Sequence, residues 1–195
     1  MLEGSEHKSF SFVQATLNKS FTNSALFVQG WFQYFDSLDD YDRSRYEQFN
    51  RQYGLEVKYD HSLWNNHFVT LGASFRYNDG TETTFKYNDQ DFEYFPSYTT
   101  NLTSLYIQDK WKILENLELT AGVRYDYHDE YKNFTSPRVG INYIFWEYFN
   151  IKLLYGRAFR TPSLAVVIEE SSLDPEQIDS YEVELGFNYK NRLSL

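Results

Sequence analysis

No cysteine occurs in the 195 residues, so neither a disulfide framework nor a thiolate metal site is open to this chain. Apolar runs are short as well: nothing approaches the roughly 20 residues that a membrane-spanning helix requires. That absence excludes helical spanning and leaves strands untouched, because a strand that crosses a bilayer alternates and is never hydrophobic on average. Cations are scarce, with 18 Lys and Arg against 28 Asp and Glu and a net charge of -10. Nucleic-acid binding needs clustered positive charge, and this balance argues against it. There is also no Gly-rich phosphate loop, no HExxH and no nucleophile elbow. The sequence therefore assigns no catalytic residue, no cofactor site and no metal ligand. The first residues, Met1-Leu-Glu-Gly-Ser-Glu-His7, are acidic and lack the apolar core of a secretory signal.

Aromatic residues are what the chain has in abundance: 18 Tyr, 17 Phe and 4 Trp, 20% of the whole. Rings pack well on a pleated surface, which points to an all-β class. The stretch Leu117–His128 alternates strictly, with apolar or aromatic residues at odd positions and polar residues or Gly at even ones. Successive strand side chains point to opposite faces, so this segment has one apolar wall and one polar wall. Tyr53–Asp60, Val69–Asn78 and Tyr181–Lys190 repeat the pattern.

Nine strands are predicted, at about 8–18, 24–36, 45–60, 67–78, 100–113, 117–128, 138–146, 150–157 and 178–190. Most exceed the usual globular strand of about 5–6 residues and match the ~9–11 of a tilted membrane strand. Connectors alternate between short (Asn18–Asn23, Asp60–Asn66, Leu114–Asn116, Glu147–Phe149) and long (Asp36–Ser44, Asp79–Thr99, Asp129–Pro137, Arg157–Gln177). An up-and-down membrane barrel has such a short-turn side and long-loop side. Charges fall on the polar wall (Glu56, Lys58, Arg76, Glu118, Arg124, Asp126, Glu182, Glu184), and Tyr and Phe gather near strand ends. From pattern alone, a soluble sheet with Tyr-rich cross-strand packing remains the alternative to an antiparallel up-and-down transmembrane β-barrel.

Five blocks occur in order along the second half: Tyr106-Ile-Gln-Asp-Lys-Trp111, Leu117-Glu-Leu-Thr-Ala-Gly-Val-Arg-Tyr-Asp126, Ser136-Pro-Arg-Val-Gly140, Leu154-Tyr-Gly-Arg-Ala-Phe-Arg-Thr-Pro-Ser163, and Leu173-Asp-Pro-Glu followed by Ser180-Tyr-Glu-Val-Glu-Leu-Gly186. Together they resemble the barrel of a TonB-dependent outer-membrane receptor of Gram-negative bacteria. The resemblance implies a barrel of about 22 strands around an N-terminal plug, with a box that engages the TonB complex. This sequence shows neither plug nor box nor a terminal aromatic strand. It reads as a partial barrel domain over residues 1–195, a fragment carrying about nine strands, since an open sheet exposes edges that lipid cannot satisfy. The implied setting is the cell outer membrane. The implied partners are outer-membrane lipid, the TonB complex through the missing plug, and a scarce siderophore-like small molecule; the receptor is expected to be a monomer.

Candidate ligand-binding residues follow from placement. Arg157 and Arg160 belong to the Arg157–Pro162 block, where a strand leaves for a long loop; a role in shaping that exit competes with ligand contact. In the haem-importing branch a similar box precedes a ligating His, and Leu164–Ser172 contains none. Tyr94 and Phe95 lie in the acid- and ring-rich connector Asp79–Thr99, where rings stack on catecholates or sugars and carboxylates are the oxygen ligands calcium takes. Asn88–Asp91 lacks the glycine and distal Glu of a calcium loop. Arg124, Asp126 and His128 share the polar wall near one mouth. His7, His61 and His67 fall in turns or termini and form no metal-spaced cluster. The leading reading is a transport receptor; a passive outer-membrane channel and a soluble β-sandwich binding domain are the alternatives.

Overall fold

The computed structural model describes residues 4–41, 44–80, 83–87, 90–95, 99–129, 133–146, 148–160, 175–189 and 193–194. Nine long strands form a single antiparallel wall: β1 (Gly4–Ser20), β2 (Ser24–Tyr41), β3 (Ser44–Leu63), β4 (His67–Asp79), β7 (Thr99–Leu114), β8 (Leu117–His128), β9 (Phe134–Phe145), β10 (Phe149–Arg160) and β11 (Glu176–Tyr189). Each pairs with its neighbour in the order given. A two-residue β12 (Leu193–Ser194) pairs with β11, and a small hairpin of β5 (Thr83–Tyr87) and β6 (Gln90–Phe95) sits between β4 and β7 in sequence.

Burial runs opposite to that of a soluble domain. Among the described residues, Phe134 is the one buried hydrophobic side chain, whereas Ser37, Thr70, Thr100, Ser104, Asp126 and His128 are buried. Leu55, Leu71, Leu105, Ile107, Val123, Ile141 and Leu153 are exposed, and the registers put them all on one face. A β-sandwich buries such a face against a second sheet. The described residues form one sheet, so the sandwich alternative is overturned.

Rings close both ends of the apolar face. At the short-turn end, Tyr143, Phe145, Trp146, Phe149 and Phe187 form a chain of contacts at 4.8–6.3 Å. Trp64, His67 and Trp111 form another. Near the opposite end, Tyr53 stacks on Tyr77 at 4.8 Å and Tyr155 meets Tyr181 at 5.1 Å. Two of the short turns carry a tryptophan in the left-handed region, Trp64 at φ 49° and Trp146 at φ 51°. A bulky residue is strained there by about 1–2 kcal/mol. Both are held outward, 82% and 78% exposed.

Three expected long connectors are corrected. Asp36–Ser44 is almost all strand: β2 runs to Tyr41 and β3 starts at Ser44, so this hairpin rises well above its neighbours. Asp79–Thr99 contains the β5–β6 hairpin, whose β5 pairs with Ser44–Gln48 at the raised end of β3. Asp129–Pro137 shortens because β9 begins at Phe134 and continues through Pro137. Likewise His7, His61 and His67 stand within β1, β3 and β4 rather than in turns or termini.

Candidate functional site

The polar face is built on a set of notches. Gly54, Gly72, Gly140 and Gly186 lie directly across from Trp31, Tyr106, Leu154 and Asn150 on the adjacent strands. In each pair the larger side chain occupies the space where a glycine Cβ would stand; for Gly72 the Tyr106 Cζ is 2.0 Å from that point. Glycine within a strand marks such close approaches. Lying in its notch, Tyr106 reaches across β4, and its hydroxyl donates to Glu56 Oε1 on β3 at 3.0 Å.

Beside Tyr106 lies the most buried polar cluster among the described residues. Ser104 Oγ donates to Asp126 Oδ1 at 2.5 Å, and Arg124 Nε donates to both Asp126 oxygens at 2.8 and 3.1 Å. A further Arg124 nitrogen, Nη2, donates to Ser104 Oγ at 2.7 Å. The guanidinium carbon is 5.9 Å from the Tyr106 ring centroid. Asp126 is 1% exposed and Ser104 0%. A buried carboxylate is stable only when hydrogen-bonded and paired, and here both conditions are met.

This cluster borders a hollow of about 480 Å³ on the polar face, lined by Glu56, Lys58, Tyr106, Arg124, Arg138 and Arg157 among others. Arg138 lies over Gly122, its Nε 3.2 Å from where a Cβ would be. Lower on the same face, Lys110 meets Glu118 at 3.0 Å and Lys152 meets Glu184 at 2.9 Å, cross-strand pairs of opposite sign.

The predicted candidates separate into groups. Arg124, Asp126 and His128 share the polar face as their spacing of two requires, yet Asp126 and His128 are buried and only Arg124 fronts the hollow. Arg157 has the parity of the apolar face, alongside Leu153 and Tyr155. Its Nε and Nη2 donate to Asp179 at 2.9 and 3.2 Å, and Tyr155 donates to the same carboxylate at 2.9 Å. Beyond Gly156, however, β10 no longer pairs with β9. There Phe159 stacks at 4.0 Å on Phe134, a polar-face residue, so the end of β10 leans across the polar side of β9 and brings Arg157 to the hollow. Arg160 is in register with Glu176, and the remainder of its block, 161–163, lies outside the described residues. Tyr94 and Phe95 belong to β6 by backbone rather than to a free loop; their side chains lie outside the described residues. The candidate list missed Glu56, Lys58, Gly72, Ser104, Tyr106 and Arg138. Even-position parity was a usable signal for most of them, Arg138 included.

Some polar pairs depart from the pattern, Arg51–Asp79 among them. His67 Nδ1 lies 2.7 Å from Asp109 Oδ2 on the apolar face, against the ring of Trp111.

Comparison with known proteins follows the same architecture. The ferric enterobactin receptor of Pseudomonas aeruginosa, in a variant form, superposes with a TM-score of 0.80 at 12% identity over 95% of this chain and 33% of that one. The copper transporter OprC gives 0.75 at 13% identity, covering 97% and 37%. A 70-residue stretch is 31% identical to the vitamin B12 transporter BtuB of Vibrio vulnificus (strain CMCP6), which is 36% of this chain and 12% of that protein. The chain thus spans about a third or less of the length of each. Residues 4–195 match the model of the TonB dependent receptor-like β-barrel family, and the chain belongs to that family.

Proposed function

We propose that residues 1–195 are part of the barrel wall of a Gram-negative outer-membrane receptor that takes up a scarce ligand, such as a ferric siderophore, at the expense of energy transmitted by TonB. The apolar face meets lipid, and the polar face lines the lumen. The observation that carries this reading is the inverted burial: among the described residues one buried hydrophobic side chain, with a hydrogen-bonded Arg124-Asp126-Ser104 cluster and a Tyr106–Glu56 hydrogen bond on the opposite face. In lipid every backbone group must be satisfied within the wall, and a continuous antiparallel ladder does that. Terminal ring clusters on the apolar face match the aromatic girdles of membrane barrels. Within this reading the receptor is a monomer, and a plug inside the lumen carries the TonB contact.

The test is uptake by cells carrying the full-length gene under iron limitation. Accumulation of a radiolabelled ferric chelate that stops when TonB is deleted supports the proposal. Uptake that persists without TonB is the behaviour of a passive channel and overturns it.

A further inference from the structure

One carboxylate is turned towards the apolar side of the wall. Asp109 stands on that face of β7, two residues inward of Trp111, which is about 7 Å along the strand. Between the ring clusters at the two ends it is the one acid on the apolar face of β3 to β10 among the described residues. Its Oδ2 accepts from His67 Nδ1 at 2.7 Å, and its Oδ1 is buried without a hydrogen bond among the described residues. The side chain as a whole is 38% exposed. With His67 neutral and donating from Nδ1, the pair carries one net negative charge. Among the described residues no Lys or Arg lies within ion-pair distance of Asp109. A charge facing hydrocarbon is costly until it meets its opposite, and here the opposite must come from outside the wall.

Two neighbours narrow what could supply it. Trp111 stacks on His67 at 5.3 Å and the exposed Trp64 meets the same ring edge-on at 6.1 Å. Indole faces attract cations, and these rings lie at the short-turn end, where the apolar face gives way to water. On the other side of Asp109 the apolar face is hollowed. A trough of about 490 Å³ is lined by Val57, Leu71, Ala73, Leu105, Ile107 and Val123 among others, and no charged residue borders it. Ala73 stands in a row with Val57, Leu105 and Tyr125, and its single methyl leaves a dip between them. Ile107 is the next residue on this face after Asp109, so the trough begins one side-chain position beyond the carboxylate.

A negative seat framed by indole rings and continued by an apolar trough matches an amphiphile with a cationic head and an acyl chain. We infer that Asp109, His67, Trp64 and Trp111, together with the trough around Ala73, hold one phospholipid with a free ammonium group, as in phosphatidylethanolamine, in the leaflet at the short-turn rim. The ammonium meets the Asp109 carboxylate, and an acyl chain lies along Ala73. The same negative charge disfavours an anionic head such as that of phosphatidylglycerol. This inference rests on the lipid-facing half of the reading above and is independent of the ligand in the lumen.

The experiment is native mass spectrometry of the full-length receptor in detergent, incubated with equimolar phosphatidylethanolamine and phosphatidylglycerol of matched acyl chains. One phosphatidylethanolamine is retained about tenfold more strongly than phosphatidylglycerol. Asp109→Asn abolishes that preference, Asp109→Glu keeps it, and Ala73→Leu lowers retention by filling the trough. Retention of the heat-modifiable gel shift shows that each variant is folded. Equal retention of the two lipids by the unaltered receptor, or a preference that survives Asp109→Asn, overturns the inference and leaves TonB-dependent uptake standing. A full-length protein that stays soluble without detergent and shows no heat-modifiable shift overturns the lipid-facing wall and the inference with it.

Discussion

A methyl group on Gly72 would fall inside the Tyr106 ring, 2.0 Å from Cζ. Gly72→Val is therefore expected to expel the ring, break the Tyr106–Glu56 hydrogen bond and destabilise the wall by about 1–3 kcal/mol, the range for overpacking a filled site. Urea unfolding of the protein in lipid vesicles measures it. Adding Tyr106→Ala to the glycine variant should restore part of the loss, because the pair shares one volume. Asp126→Ala leaves the Ser104 hydroxyl and Arg124 without their buried acceptor, and about 1–3 kcal/mol is expected in the same assay. By contrast, Asp179→Asn removes an ion pair whose side chains are 37% and 40% exposed. Screening by water keeps that change well below the Asp126 one. Alternation in the sequence placed Arg124, Asp126 and His128 on one wall, and they share it. It did not reveal which of them solvent reaches, because burial of Asp126 depends on Ser104 and Arg124 closing around it, and Ser104 is a neighbour fixed by strand register. The glycines at even positions looked merely non-apolar; that they are sockets for facing rings also becomes visible only once strands are paired.

At the scale of elements, alternation located all nine wall strands, and Leu117–His128 matches β8 end to end. Errors collected at the end opposite the short turns. The segment around β5 and β6 is rich in acids and interrupted by polar residues, so its own sequence favours a loop. It becomes strand because the raised end of β3 offers unpaired backbone groups, which β5 satisfies. Replacing residues 81–98 by a short turn should leave the β4–β7 ladder, and with it the heat-modifiable fold, intact. Hydrogen exchange should rise selectively at Ser44–Gln48, the positions that lose their β5 partner. Arg157 illustrates the reverse case: parity alone assigns it to the apolar face, and only the loss of β9 pairing after Gly156 carries it to the hollow.

For the molecule as a whole, the two faces predict opposite responses to one substitution type. Ile107 stands midway along β7 on the apolar face, 48% exposed. Ile107→Lys is expected to cost about 2–4 kcal/mol of unfolding free energy in lipid, as a charge at the bilayer midplane does. The polar-face neighbour Gln108→Lys should change it little. Equal small effects at both positions would contradict a lipid-facing wall. The fold class was legible because a strand exposed to two solvents writes both into its sequence; the ligand's identity was not, because it depends on side chains that six strands bring together. One further consequence lies in the wall's uneven height. All turns at one rim are short, yet β2 and β3 run 18 and 20 residues while β8, β9 and β10 run 12 each. At about 3.3 Å per residue the difference amounts to roughly 20–26 Å along the strand. Among the described residues the opposite rim is thus a parapet along β2 and β3 and a sill along β8 and β9, an uneven edge rather than a level one.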